Sequence, residues 1–100
     1  LAISHSGRTK AVVDAVRHAK KQGATIIAIT SFKDSFLYRE SDVAATVFAD
    51  EGTYPVEAVS ARVAHICMVD ALAMLLATYN YESFARHIKS RNTILEGIRY

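Results

Sequence analysis

An apolar run, an amphipathic run and a second apolar run follow one another within residues 1–30, and few folds accept that order. Residues 1–4 read as a short strand ending in small polar side chains. Residues 9–22 read as a helix. Val12, Ala15, Val16 and Ala19 recur at three- and four-residue spacing, while Lys10, Asp14, Arg17, Lys20 and Lys21 take the outer face. Gly23 supplies the stop, because glycine adopts the left-handed backbone that closes a helix. Residues 24–30 are continuous and rich in β-branched side chains, the pattern of a central parallel strand covered on both faces. Strand, helix and strand at this spacing make a βαβ unit with a right-handed crossover. The predicted fold is therefore α/β, a three-layer sandwich on a short parallel sheet.

The rest of the chain extends this plan. Residues 31–42 are polar and irregular, with Phe36 and Leu37 pinning a short helical turn to the core. Residues 43–49 alternate as a further strand, and residues 50–55 form a loop around Pro55. A long helix is predicted over 57–79. Its apolar residues, among them Val59, Val63, Ile66, Leu72, Leu75 and Leu76, cover more than one face, so it needs two partners, one of them a second subunit. A second C-terminal helix is predicted over 81–98, with Phe84, Ile88, Leu95 and Ile98 forming a narrow seam interrupted by Arg91. Tyr79 and Tyr81 are expected to pack at the junction of the two helices. Asp70, among apolar neighbours, is expected to have a cationic or backbone partner, since an unpaired buried charge is costly. His18 and His87 read as surface residues.

Composition excludes several classes. Apolar residues make up 51% of the 100, enough for a packed core. The net charge is only +2 and the basic residues are scattered, so no nucleic-acid stripe is indicated. Cys67 is the single cysteine; with no internal disulfide possible, a reducing, cytoplasmic setting is expected. The most apolar stretch, residues 71–77, falls short of the roughly 20 residues that cross a bilayer, which argues against a membrane partner. No group of His, Cys, Asp and Glu has metal-ligand spacing, and neither a metal nor a cofactor is expected. Because residue 1 is a leucine already inside a strand, the chain is expected to be one partial domain, 1–100, of a longer polypeptide.

The chemistry concentrates in Ser4-His5-Ser6-Gly7-Arg8-Thr9, between the first strand and the first helix. Ligands of parallel sheets bind at the carboxyl ends of strands. A helix N-terminus adds unsatisfied amides and a positive partial charge. Ser4, Ser6 and Thr9 place three hydroxyl donors there, and Gly7 lets the backbone approach a ligand. Arg8 offers a charge-assisted contact or points to solvent. The same residues also suit an ordinary helix cap, and spacing alone does not separate the two. The lysine of a P-loop and the further glycines of a dinucleotide fingerprint are absent.

This segment, with its helix and the strand from Gly23 to Ser31, resembles the S-x-S-G-x-T phosphosugar loop of sugar-isomerase (SIS) domains, which are flavodoxin-like. Val59-Ser60-Ala61-Arg62-Val63-Ala64-His65 with Val69-Asp70-Ala71-Leu72 resembles the long helix of RpiR-type transcription regulators. The resemblance runs to about Tyr79. It implies an SIS domain lacking its first strand and its Gly/Ser loop, with DNA binding confined to a separate N-terminal helix-turn-helix domain. It further implies that Ser4, Ser6 and Thr9 hold phosphate with backbone help from His5 and Gly7. The family's Ser-Pro-Leu turn corresponds to Ser35-Phe36-Leu37, with Phe36 in place of proline.

Glu57 and Ser60 share a face of the long helix. Glu57 is expected to hold sugar hydroxyls in a sensor, and equally suits a helix N-terminus as a favourable carboxylate; Ser60 either contacts the ligand or is only small enough for close packing. In an isomerase Glu57 would move the proton and His65 would assist ring opening; otherwise His65 is a hydrogen-bonded core residue. Three functions stay open: a non-catalytic phosphosugar sensor forming a homo-oligomer through the C-terminal helices, an aldose–ketose phosphosugar isomerase, and a flavodoxin-like module whose hydroxyl cluster is only a cap.

Overall fold

The computed structural model describes residues 1–48 and 59–98. Their element order is β1 (Ala2–Ile3), α1 (Lys10–Lys21), β2 (Ile27–Thr30), α2 (Phe36–Glu40), β3 (Val43–Thr46), α3 (Val59–Tyr79) and α4 (Tyr81–Ile98). The chain divides into two compact units, Leu1–Cys67 and Met68–Tyr100.

In the first unit the three strands form a parallel sheet in the order β1-β2-β3, with β2 central as predicted. Ala2 pairs with Ala28, and Ala28 with Ala44. This row of small side chains lets helices sit close to the sheet: Ala28 joins Val16 of α1, Leu37 of α2 and Ile26 in the core, with Ala2, Val12, Ala19 and Ala44 packed against it. Successive residues of a strand face opposite ways. Ile3, Ile29 and Ala45 therefore form the row on the other side, and Ile29 is fully buried there.

The end of α1 follows its sequence signal closely. Gly23 has φ +81°, its N–H donates to Lys20 O at 2.9 Å, and Ala24 N–H donates to Ala19 O at 3.1 Å. That paired arrangement is the Schellman motif, which satisfies carbonyls the helix leaves open. α2 begins at Ser35, whose Oγ accepts from Tyr38 N–H at 3.3 Å, and it buries Leu37 completely. Phe36 occupies the first helical position, where proline is favoured but a free N–H is equally acceptable. The helix forms without the proline. Phe36 also lies under Arg17 of α1, with Cζ 4.6 Å from the ring centre.

All three strands are shorter than expected, β1 running only from Ala2 to Ile3. Residues 24–26 are not strand, because Ile26 N–H is taken by the Asp42 carboxylate at 2.7 Å instead of a strand carbonyl. Ile27 is 43% exposed, so only Ala28 to Thr30 have the full burial expected of a central strand. β3 ends at Thr46, although Val47 N–H still donates to Thr30 O at 3.0 Å. The loop predicted over 50–55 and the predicted first turn of the long helix, Glu57 included, lie outside the described residues.

In the second unit, Asn80 separates α3 from α4 and caps the latter, its Oδ1 accepting from Ser83 N–H at 3.1 Å. Tyr79 and Tyr81 do not pack at this junction. Both are exposed, since a polar cap and not an aromatic contact closes it. Asp70 is also exposed, so no buried charge needs compensation. His18 and His87 are surface residues as expected. Much of the apolar surface of both helices is open, including Met74, Leu75, Leu76, Ile94, Leu95 and Ile98. By length and composition alone, α3 is apolar enough to cross a membrane; the seven-residue stretch singled out from the sequence understates it. Arg62 and Asp70 lie within the same helix.

Candidate anion-binding site

The segment 4–9 continues β1 and is tied to the end of β2. Ser4 N–H donates to Ile29 O at 3.0 Å, and His5 O accepts from Ser31 N–H at 3.0 Å and from Thr30 Oγ1 at 3.1 Å. Thr30, fully buried, thus serves the loop as well as the sheet. The backbone then turns: Gly7 N–H donates to both Ser4 O and Ser4 Oγ, each at 3.1 Å.

Gly7 is required twice over. Its φ is +61°, a region that costs other residues free energy. A Cβ at this position would also collide with the Ser35 side chain and stand 2.8 Å from Thr30 Oγ1. Gly7 O accepts from Leu37 N–H at 3.0 Å, so the loop rests on the first turn of α2. Ser35 itself donates to Phe32 O at 2.7 Å while capping α2. Ser35, singled out in the sequence only as part of a turn, and Thr30 are scaffolding residues whose closeness to Gly7 the sequence did not indicate. A serine three residues before Tyr38, just ahead of a buried leucine, was the available signal for the first of them.

The hydroxyls are arranged unequally. Ser4 Oγ and Thr9 Oγ1 are 3.1 Å apart, Ser4 buried and Thr9 exposed. Ser6 is exposed and its Oγ accepts from Arg8 N–H at 3.3 Å. Thr9 stands at the N-cap of α1 but makes no side-chain cap hydrogen bond. Its hydroxyl is directed to Ser4, away from the amides it would ordinarily satisfy. The first-turn amides of α1 therefore have no acceptor from their own cap, at the positive end of the helix. An anion is the natural acceptor in such a place.

Arg8 is directed elsewhere. Its Nη2 lies 3.4 Å from Asp34 Oδ2, both side chains largely exposed, so the pair contributes at most about 1 kcal/mol. His5 Nδ1 is 2.8 Å from Ser31 Oγ, and its ring meets Phe32 edge-on at 5.4 Å and His65 edge-on at 6.1 Å. Ile3, Ser4 and His5 share a cavity of about 340 Å³ with Arg62, His65 and Ile66 of α3. Ser60 is exposed in the first turn of α3, with no described hydrogen bond to the loop. Glu57 lies outside the described residues. Thus the fold joins Ser4, Gly7 and Thr9 directly, places His5 against His65, and leaves Ser60 unconnected to them. Among the described residues no group of three His, Cys, Asp or Glu side chains is placed to hold a metal ion.

A parallel sheet whose first strand feeds a hydroxyl-rich helix start defines a class of α/β domains whose ligand sites lie at the carboxyl ends of the strands. The SIS domain model matches residues 1–75, and the chain belongs to the SIS family. That match includes most of α3, which makes the long apolar helix part of the domain. An uncharacterized HTH-type transcriptional regulator of Caldanaerobacter subterraneus is 32% identical over 93% of this chain. Another HTH-type regulator, from Bacillus subtilis, is 29% identical over 98% of it. The chain spans about a third of the length of these regulators, 33% and 35% respectively. Among solved structures, a candidate sugar-phosphate isomerase from Listeria monocytogenes superposes with a TM-score of 0.70 at 28% identity, covering 83% of this chain and 46% of its own.

Proposed function

We propose that this SIS domain is the phosphosugar-sensing module of an RpiR-type transcriptional regulator of carbohydrate metabolism. The ligand's phosphate sits at the start of α1 and accepts from the first-turn amides and from the hydroxyls of Ser4, Ser6 and Thr9, with backbone help from His5 and Gly7. Glu57 and Ser60 hold sugar hydroxyls. The observation that carries this reading is the uncapped N-terminus of α1: Thr9 turns its hydroxyl to Ser4 and leaves the amides to an external acceptor.

The HTH-type regulators that align over nearly the whole chain support a partner DNA-binding segment elsewhere in the polypeptide. The protein works in the cytoplasm as a homodimer joined through α3 and α4, and the sensor is not an enzyme. Regulation follows only where the ligand favours one domain arrangement over another.

Calorimetric titration of the full-length polypeptide tests this with glucose 6-phosphate, fructose 6-phosphate and glucosamine 6-phosphate, using the free sugars and inorganic phosphate as controls. At least one sugar phosphate should bind while its free sugar does not. Ser4→Ala and Thr9→Val should each weaken that binding about tenfold, the loss of one hydrogen bond to a charged group. No binding by any sugar phosphate, or full affinity in both variants, would remove the reading.

The Listeria neighbour supports a second one, an aldose–ketose isomerase with Glu57 as base and His65 assisting ring opening. Interconversion of glucose 6-phosphate and fructose 6-phosphate followed by NMR separates the two. Turnover that Glu57→Gln abolishes while binding persists makes the protein an enzyme.

A further inference from the structure

His65 stands in α3 as an almost entirely buried residue, 8% exposed. Its Nδ1 lies 2.6 Å from Ala61 O. A carbonyl oxygen only accepts, so Nδ1 carries the proton, and in the neutral ring Nε2 is left as an acceptor. That buried Nε2 has no hydrogen-bond partner among the described residues. Buried polar atoms are nearly always paired, and an orphan in a folded site calls for a missing donor. His65 is one of the residues that line the cavity, with Ser4, His5 and Arg62. Ser4 belongs to the phosphate loop, so a molecule whose phosphate is seated at the start of α1 has this cavity beside it.

We propose that His65 Nε2 accepts a hydrogen bond from a hydroxyl of the bound ligand and so selects phosphate esters of polyhydroxylated carbon chains over phosphate alone. The inference rests on the phosphosugar reading above and adds a specificity residue to it. Ala61 fixes the tautomer, so the contact demands a donor, and an ether or keto oxygen at the same place is rejected. The orphan acceptor makes the preference sharp, because a ligand lacking the donor seats against an atom that stays unpaired.

The test compares His65→Leu, which keeps bulk and removes the acceptor, with His65→Gln, which carries an amide oxygen of similar reach. Each full-length variant is titrated with inorganic phosphate and with whichever of glucose 6-phosphate, fructose 6-phosphate and glucosamine 6-phosphate binds the parent most tightly. His65→Leu should lose about tenfold in affinity for the sugar phosphate and less than about twofold for inorganic phosphate, and His65→Gln should recover most of the loss. Equal losses for both ligands, or none for either, would overturn the assignment. Should His65→Leu fail to fold, ¹⁵N NMR of the parent decides: the Nε2 resonance of His65 shifts when the sugar phosphate binds and stays still with inorganic phosphate. A sugar phosphate that binds without moving Nε2 refutes this inference and leaves the phosphate site standing. Absence of binding by every sugar phosphate refutes both.

Discussion

At the scale of single residues, two positions carry the site. Gly7 combines a left-handed backbone with contact against Ser35 and Thr30, so it tolerates no side chain. Gly7→Ala should lower stability by about 2 kcal/mol or more, with roughly 1–2 kcal/mol from the backbone alone, read from chemical denaturation. A change under 0.5 kcal/mol would mean that the turn relaxes freely. Thr9 is the second position. Residue type and placement announced its hydroxyl, but whether it caps α1 or turns to Ser4 depends on where β1 sets Ser4, and that was not legible locally. Ser6, grouped with Ser4 and Thr9 from the sequence, bonds the Arg8 amide; its part in ligand binding is a separate matter from the Ser4–Thr9 pair.

At the scale of elements, the helices were legible because their signals are repeated every turn. Val12, Val16 and Ala19 predicted the buried face of α1, and Gly23 predicted its end. Strand limits were less legible, since a strand begins where a neighbour supplies partners. Asp42 decides the start of β2 by taking Ile26 N–H. Asp42→Ala leaves that partly buried amide without its charged acceptor and should cost about 1–2 kcal/mol, measured by urea denaturation. Leu37→Ala empties a fully buried position and should cost about 2–5 kcal/mol in the same assay. Asn80→Ala removes the cap of α4 and should cost about 1 kcal/mol of helix stability, visible as a lower far-ultraviolet CD melting temperature.

At the scale of the whole molecule, the open apolar surface of α3 and α4 sets the expectation. Monomers rarely expose this many large apolar side chains along one helix pair. Light scattering of the full-length polypeptide should therefore give the mass of a dimer, and Leu76→Glu should shift it towards monomer without lowering the helix content. A monomeric mass at every concentration would remove the homodimer from the proposed function. The sequence signalled this surface through apolar residues on more than one face of α3 and through the seam of Phe84, Ile88, Leu95 and Ile98 on α4.

The order of elements, the parallel α/β class and the hydroxyl-rich helix start were all determined by the sequence, because each rests on neighbours within one or two turns of the chain. Tertiary structure alone decided that Ser35 and Thr30 close on Gly7, that Thr9 abandons its own helix for Ser4, and that His65 keeps an unpaired nitrogen beside the loop. Ser35 and Thr30 are distant from Gly7 in the chain, while Ser4 and Thr9 are only five residues apart; in each case a side chain's partner is chosen by the register and packing of whole elements. Local pattern carries no record of either.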